Sequence, residues 1–177
     1  IWQRVCLYDK QLFLRNAHSD ELDSVSLLVR DAYEQYESLL PPEAWKFYVE
    51  DMTNVRARLN ESELIVGELD GQLVGTVTLY LDVSHLALKR WPKGWASIRL
   101  LAVHLAYRRR GIGRALMEEC VRRCRNQGVD AIGLRTIEMM RTAHRIYEMM
   151  GFVRAPKYDL YPRPGVAVLA YRLNLKK

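Results

Sequence analysis

The chain has 177 residues and a formal net charge of +6, with 49% hydrophobic and 27% charged side chains. That length suits one domain, and that apolar content excludes an intrinsically disordered chain. No run approaches the ~18 consecutive apolar residues of a membrane-spanning helix. The opening IWQRVCLYDK lacks the apolar core and small-residue cleavage site of a secretory signal. Cys6, Cys120 and Cys124 cannot all pair within one chain and show no CxxC spacing. Neither a disulfide framework nor a zinc site is expected from them, and a reducing cytoplasm is the compartment they suit. Charge is uneven: residues 1–60 carry −3 and residues 61–177 carry +9. The basic part suits an anionic ligand such as a nucleotide or nucleic acid, and the acidic part a cationic partner, although most individual charges belong to solvated helix faces.

No internal repeat, low-complexity tract or linker divides the chain, so residues 1–177 read as a single domain. KQLFLRN (10–16) reads as a strand. Ser19 or Asp20 can cap a helix that spaces Leu22, Val25, Leu28, Val29, Ala32, Tyr33 and Tyr36 by threes and fours. Pro41-Pro42 ends it and suits the first turn of a second helix, which sets Trp45, Tyr48, Val49, Met52, Val55 and Leu59 on one face. SELIVGEL and QLVGTVTLYL flank Asp70-Gly71, a hairpin signal. Residues 83–94 read as a loop. WASIRLLAV (95–103) is a strand whose apolar centre predicts burial on both faces. A third helix over 113–127 lines up Leu116, Cys120 and Cys124, with Arg114, Glu118, Glu119, Arg122, Arg123 and Arg125 on its surface and Gly128 closing it. AIGLRTI (131–137) is a strand. Residues 139–150 form a fourth helix with Met140, Ala143, Ile146, Tyr147 and Met150 inward, ended by Gly151. VAVLAYRLNL (166–175) is a strand of the tail. The order β α α β β β α β α β β describes an α/β chain, and the early hairpin argues against a purely parallel sheet.

The segment RLLAVHLAYRRRGIGRALMEECVRRC (99–124) carries the chemistry. A buried strand runs through a short loop into Arg108-Arg109-Arg110-Gly111-Ile112-Gly113 and then into an amphipathic helix. Glycines at a helix start let the backbone approach a ligand closely. The first free N–H groups of the helix, with its dipole, make an anion site, and the arginines add attraction for phosphate. The pattern is neither the P-loop GxxxxGK[ST] nor the dinucleotide-binding GxGxxG. On its own, R-x-x-G-x-G describes a solvated basic turn equally well.

Context separates the two. L-x-V-x4-R-x-x-G-x-G, followed by A-x-x-x-Y-E-x-x-G-F at 143–152, resembles the GNAT superfamily of acyl-CoA-dependent N-acyltransferases. The resemblance covers residues 60–155 in motif and element order. It implies a GNAT-like mixed, mostly antiparallel central sheet flanked by helices. It also implies acetyl-CoA as co-substrate, no metal, and a primary amine of a small molecule or peptide as acceptor. The backbone amides of Arg109, Arg110, Gly111, Ile112, Gly113 and Arg114 would bind the pyrophosphate, with Arg108 at the motif's Q/R position. Leu101 and Val103 would run along the pantetheine arm. The Leu101 N–H would polarise the thioester carbonyl and stabilise the developing oxyanion.

Tyr147 matches the tyrosine that family members use to protonate the departing thiolate; by spacing alone it is a core aromatic. Two positions depart from the family's pattern. Met140 stands where many members place a cofactor-contacting asparagine. Ser97 stands where many place a glutamate base, so a water relay or a base from elsewhere is needed. The acceptor site is implied at AYEQYESLLPPEAW (32–45), where Tyr33, Glu34 and Glu37 could hold a protonated amine. The alternative there is a buried aromatic stripe with a solvated acidic face. The leading expectation is therefore acetyl transfer from acetyl-CoA to a primary amine by direct attack, with no membrane partner; homodimers are common in the family. Two other readings stay open. One is a nucleic-acid or ribosome-associated binding module using the RRRG turn, against which the lack of an RRM-type motif counts. The other is an acyl-CoA sensor without catalysis.

Overall fold

The structure is a computed structural model that describes residues 3–7, 10–83 and 91–176. Most of the loop expected over 83–94, and the side chain of Cys6, fall outside them. The chain divides into two compact units, residues 1–79 with 100–119 and residues 80–99 with 120–177. Its helices flank a mixed, mostly antiparallel sheet.

In the first unit, β1 (Gln3–Leu7), β2 (Lys10–Asn16), β3 (Glu63–Leu69) and β4 (Gln72–Tyr80) form an antiparallel meander. The β3–β4 turn has Asp70 at φ 51° and Gly71 at φ 77°, the left-handed pair that a two-residue hairpin turn requires. Three helices lie along this stretch: α1 (Leu22–Tyr33), α2 (Pro42–Thr53) and the single turn α3 (Val55–Arg58). Leu22, Val25 and Val55 bury Leu64 and Val66 of β3. The sheet's other face is bare at Gly67 and Gly75, which are register partners. There Ile112 and Leu116 of α4 (Ile112–Asn126) settle against Gly75.

Local details depart from the sequence reading. Neither Ser19 nor Asp20 caps α1; Glu21 precedes it and makes no side-chain cap bond to the helix. Its carboxylate accepts the His18 N–H at 2.8 Å and pairs with Arg15. Arg15 is only 9% exposed and also meets Glu68 at 2.7 Å. A buried guanidinium between two carboxylates stays charged, so its pKa rises and Arg15 holds Glu21 below the ordinary glutamate range. The second helix stops at Asn54, whose ψ of 63° leaves the helical region. Val55 therefore belongs to α3, and the face expected to run on to Leu59 is broken there. Buried Arg58 donates to Met52 O at 2.9 Å and to Asp51 O, capping the last turn of α2. Glu119, expected on the surface, is 1% exposed; it shares the inward stripe of Leu116 and Ile112, one and two turns earlier.

In the second unit, residues 95–98 of β5 (Trp95–Val103) pair in parallel with β6 (Ala131–Ile137), and β6 pairs antiparallel with β9 (Val166–Asn174). β9 also carries the short strands β7 (Val153–Arg154) and β8 (Leu160–Arg163). One face of β9 takes Ala170 into a cluster with Tyr80, Val83, Trp91 and Ala155. Trp91 lies flat on Gly133, stacks on Trp95 at 5.5 Å and holds the Arg135 guanidinium 4.1 Å above its ring. The adjacent Tyr171 belongs to the opposite face, where α5 (Arg141–Met149) packs through Tyr147. Asp159 accepts the Ala170 N–H at 2.7 Å and pairs with Arg154 at 2.8 Å. Cys120 and Cys124 are buried.

Candidate active site

The site is built where β5 ends. The His104 N–H donates to Val74 O at 2.9 Å, and Ala102 O lies 3.2 Å from where a Cβ on Gly75 would stand. The backbone groups of Ala102 and His104 thus face β4. Strand alternation turns those of Leu101 and Val103 to the other edge. Leu100, just before them, has φ 54°, a left-handed kink inside the strand.

Past β5 the chain makes a 3₁₀ turn over Leu105–Tyr107, started by His104, whose Nδ1 accepts the Ala106 N–H at 3.2 Å. Arg108 is extended, Arg109 is left-handed at φ 62° and Gly111 at φ 80°. The first amide to bond back into α4 is that of Ala115, to Gly111 O at 2.9 Å. The amides of Ile112, Gly113 and Arg114 precede it and have no acceptor within the helix. They add to the positive end of a 15-residue helix dipole. Arg109 and Arg110 are exposed beside them. This donor set fits a diphosphate: several backbone N–H groups converge on one end, with guanidinium charge at the rim and a buried glycine at 113.

The arginines differ in what they touch. Arg110 lies over the Tyr107 ring at 5.1 Å, and the Tyr107 hydroxyl donates to Gln72 Oε1 at 2.6 Å. Arg114 pairs with Glu118 at 2.8 Å on the exposed helix surface. Arg108 turns inward, donating to Ala32 O at 2.9 Å and to Gln35 Oε1 at 3.1 Å. Gln35 Nε2 in turn donates to Ala32 O at 2.7 Å.

The end of α1 therefore meets this loop, and the acceptor candidates separate there. Tyr33 is 8% exposed, and its hydroxyl donates to Leu101 O at 3.1 Å. Its ring meets Tyr36 and Tyr48 edge-on at 6.0 and 5.9 Å. Burial pushes the Tyr36 phenol up, against the opposing charge of Arg108. Glu34 and Glu37 lie in the exposed 3₁₀ turn Glu34–Leu39. Two carboxylates face solvent, and the phenol faces the strand.

Tyr147, in the second unit, is 6% exposed, with its ring 6.0 Å from Phe152 and 6.1 Å from Tyr171. The Tyr171 hydroxyl donates to Glu148 Oε1 at 3.3 Å, and burial, then Glu148, push its pKa up. His144 bonds through Nε2 to Ile137 O at 3.2 Å. Met140 is buried ahead of α5, and Ser97 is buried in β5. Gln35, Gln72 and Tyr107 were not among the residues the sequence singles out. Gln35 and Tyr107 find their partners 73 and 35 residues away, and no local spacing signals such a pair. Among the described residues, no three His, Cys, Asp or Glu side chains gather as metal ligands would, and no helix is long and apolar enough to cross a membrane.

Comparison with known proteins converges on one family. The model of the "Acetyltransferase (GNAT) family" matches residues 25–152. A probable N-acetyltransferase family 8 member 5 of Mus musculus is 33% identical over 130 residues, 68% of this chain and 55% of that protein. N-alpha-acetyltransferase 30 of Xenopus laevis is 32% identical over 112 residues, 63% of this chain and 38% of that one. The chain thus spans well under two thirds of these relatives. Among solved structures, a GNAT-family acetyltransferase of Staphylococcus aureus Mu50 superposes with a TM-score of 0.71 at 19% identity, covering 93% of this chain and 99% of that chain. The PaiA N-acetyltransferase of Thermoplasma acidophilum, solved with coenzyme A, gives 0.71 at 14% identity over 92% and 99%. Those structural likenesses speak for the fold, and the family model for descent: the chain belongs to the GNAT acetyltransferase family.

Proposed function

We propose that residues 1–177 form a single acetyltransferase domain that moves an acetyl group from acetyl-CoA to a primary amine by direct attack on the thioester. The observation that carries this reading is the turn Arg108–Gly113. Arg109 and Gly111 are left-handed there, and the turn leads into the first amides of α4, which have no acceptor within the helix, one 3₁₀ turn after the strand edge formed by Leu101 and Val103. The relatives named N-alpha-acetyltransferase 30 and probable N-acetyltransferase support an amine as acceptor. The amides from Arg109 to Arg114 take the diphosphate, and Leu101 and Val103 take the pantetheine arm. The amine nitrogen attacks the thioester carbonyl carbon. The Leu101 N–H stabilises the charge that grows on the carbonyl oxygen, the C–N bond forms and the C–S bond breaks. Tyr147 protonates the departing thiolate, and the amine's proton leaves to water or a base. The buried Cys120 and Cys124, with no CxxC spacing in the sequence, suit a reducing cytoplasm.

Thermal melts with acetyl-CoA, ATP, NAD and RNA test the ligand class; acetyl-CoA alone should raise Tm. Release of free thiol with an amine panel then separates an enzyme from a sensor. Gly113→Val should abolish the acetyl-CoA shift. Stabilisation by RNA in place of acetyl-CoA, or a Gly113→Val variant that binds acetyl-CoA like the parent, would overturn the assignment.

A further inference from the structure

Building on the acetyl-transfer reading, we propose that Tyr33 is a positioning residue of the acyl-transfer site: its hydroxyl occupies the Leu101 carbonyl, so that the open edge of β5 presents N–H groups alone to the thioester oxygen. An extended strand edge offers donor and acceptor from the same residue, side by side. The Leu101 N–H is the intended oxyanion donor. The Leu101 C=O beside it is the opposite pole, and a bare carbonyl there repels an oxygen gaining negative charge. The repulsion grows where water is excluded. The Tyr33 O–H, 3.1 Å from that carbonyl oxygen, cancels the pole with a positive hydrogen. The next carbonyl on the same edge, Val103 O, is met at 3.4 Å by Arg108 Nε. Both acceptors on this edge are therefore engaged by side chains.

The surroundings fix the hydroxyl in place. The Tyr33 ring is held edge-on between Tyr36 and Tyr48. The residue before it, Ala32, has its carbonyl pinned by Arg108 at 2.9 Å and by Gln35 at 2.7 Å. Gln35 also braces Arg108 at 3.1 Å. A phenol needed only for packing would not require its hydroxyl to reach a strand 68 residues away. Preorganised dipoles of this kind act on charge that develops during the reaction and change ground-state affinity little.

The test uses acetyl-CoA labelled with ¹³C at the thioester carbonyl and isotope-edited infrared spectroscopy. Bound to the parent, the carbonyl stretch should move to lower frequency than in solution. Tyr33→Phe keeps the ring contacts. It should bind acetyl-CoA within about twofold of the parent, lose at least half of that shift, and lower kcat by about tenfold with any acceptor the parent uses. Gln35→Ala, which loosens the brace and leaves the phenol intact, should lose a smaller part of the shift. Identical shifts in the parent and both variants would reduce Tyr33 to packing and overturn the proposal. A parent that binds no acetyl-CoA would instead overturn the acetyl-transfer reading beneath it.

Discussion

Gly75 of β4 and Leu116 of α4 are fitted to each other: a Cβ at Gly75 would stand 2.9 Å from Leu116 Cδ1, with Ile112 Cγ2 at 3.0 Å and the Ala102 carbonyl oxygen at 3.2 Å. The bare strand lets the first turns of α4 down onto the sheet, directly behind the amides proposed to hold the diphosphate. Leu116 can turn its end away from an added methyl, but the Ala102 carbonyl is backbone and cannot. Gly75→Ala should therefore lose about 1–3 kcal/mol of stability. By lifting Ile112 it should also weaken acetyl-CoA binding. Denaturant unfolding and calorimetric titration check the two effects separately, and a variant matching the parent in both would show that the contact relaxes without cost.

Asp159 gives a stability signal in acid. Its hydrogen bond with Arg154, then the Ala170 N–H, hold its carboxyl below the ordinary aspartate range despite burial. A carboxyl whose pKa is lower folded than unfolded contributes stability that is present above the unfolded value. That contribution is lost as pH falls through the folded one. The parent should thus weaken steeply below about pH 4. Asp159→Asn should be about 1–3 kcal/mol less stable near neutrality and show a flatter acid limb. Glu21, lowered by Arg15 in the same sense, is unchanged in this variant. The difference between the two pH profiles therefore isolates Asp159. Parallel profiles would mean that the pair adds nothing to stability.

Periodicity and turn chemistry made much of this fold legible. The α1 stripe from Leu22 to Tyr33, the Asp70-Gly71 turn, β5 and the Gly128 cap are all encoded within a few residues. The short strands β1, β7 and β8 were not, because two to five residues carry no period and owe their pairing to neighbours such as β9. Asn54 broke a helix whose apolar spacing ran on unbroken, since spacing reports the buried face and not the dihedral angles. The glycine turn was readable because backbone chemistry demanded those residues. The inward course of Arg108 was not, because a third arginine in RRRG looks like its two exposed neighbours until Ala32 and Gln35 are brought beside it.

Tyr147 supports a sharp kinetic contrast. Its ring packs on Phe152 and Tyr171, and Tyr147→Phe preserves that packing while removing the hydroxyl. As a general acid, its loss should cost kcat about 10²-fold with little change in acetyl-CoA affinity. A single-turnover measurement keeps product release from masking the chemical step. Unchanged turnover under those conditions would assign Tyr147 to the core alone.

The acceptor should be chosen in part by charge. Residues 1–60 carry −3 while residues 61–177 carry +9, and Glu34 and Glu37 stand exposed in the turn that follows Tyr33. Exposed carboxylates act on encounter and selection more than on tight binding, and salt screens them. Polyamines, aminoglycosides or peptides with basic N-terminal segments should therefore be better acceptors than neutral or anionic amines at low ionic strength. Glu34→Gln and Glu37→Gln should each raise the acceptor KM by about two- to fivefold, since exposed charge pairs are worth little. Acetyl-CoA affinity should hold, because neither side chain belongs to the Arg108–Gly113 turn. Raising the salt should erase the difference between parent and variants. If anionic amines win the panel at low salt, these carboxylates do not select the acceptor, and the basic residues of the second unit, Arg135 among them, become the candidates for holding an acidic one.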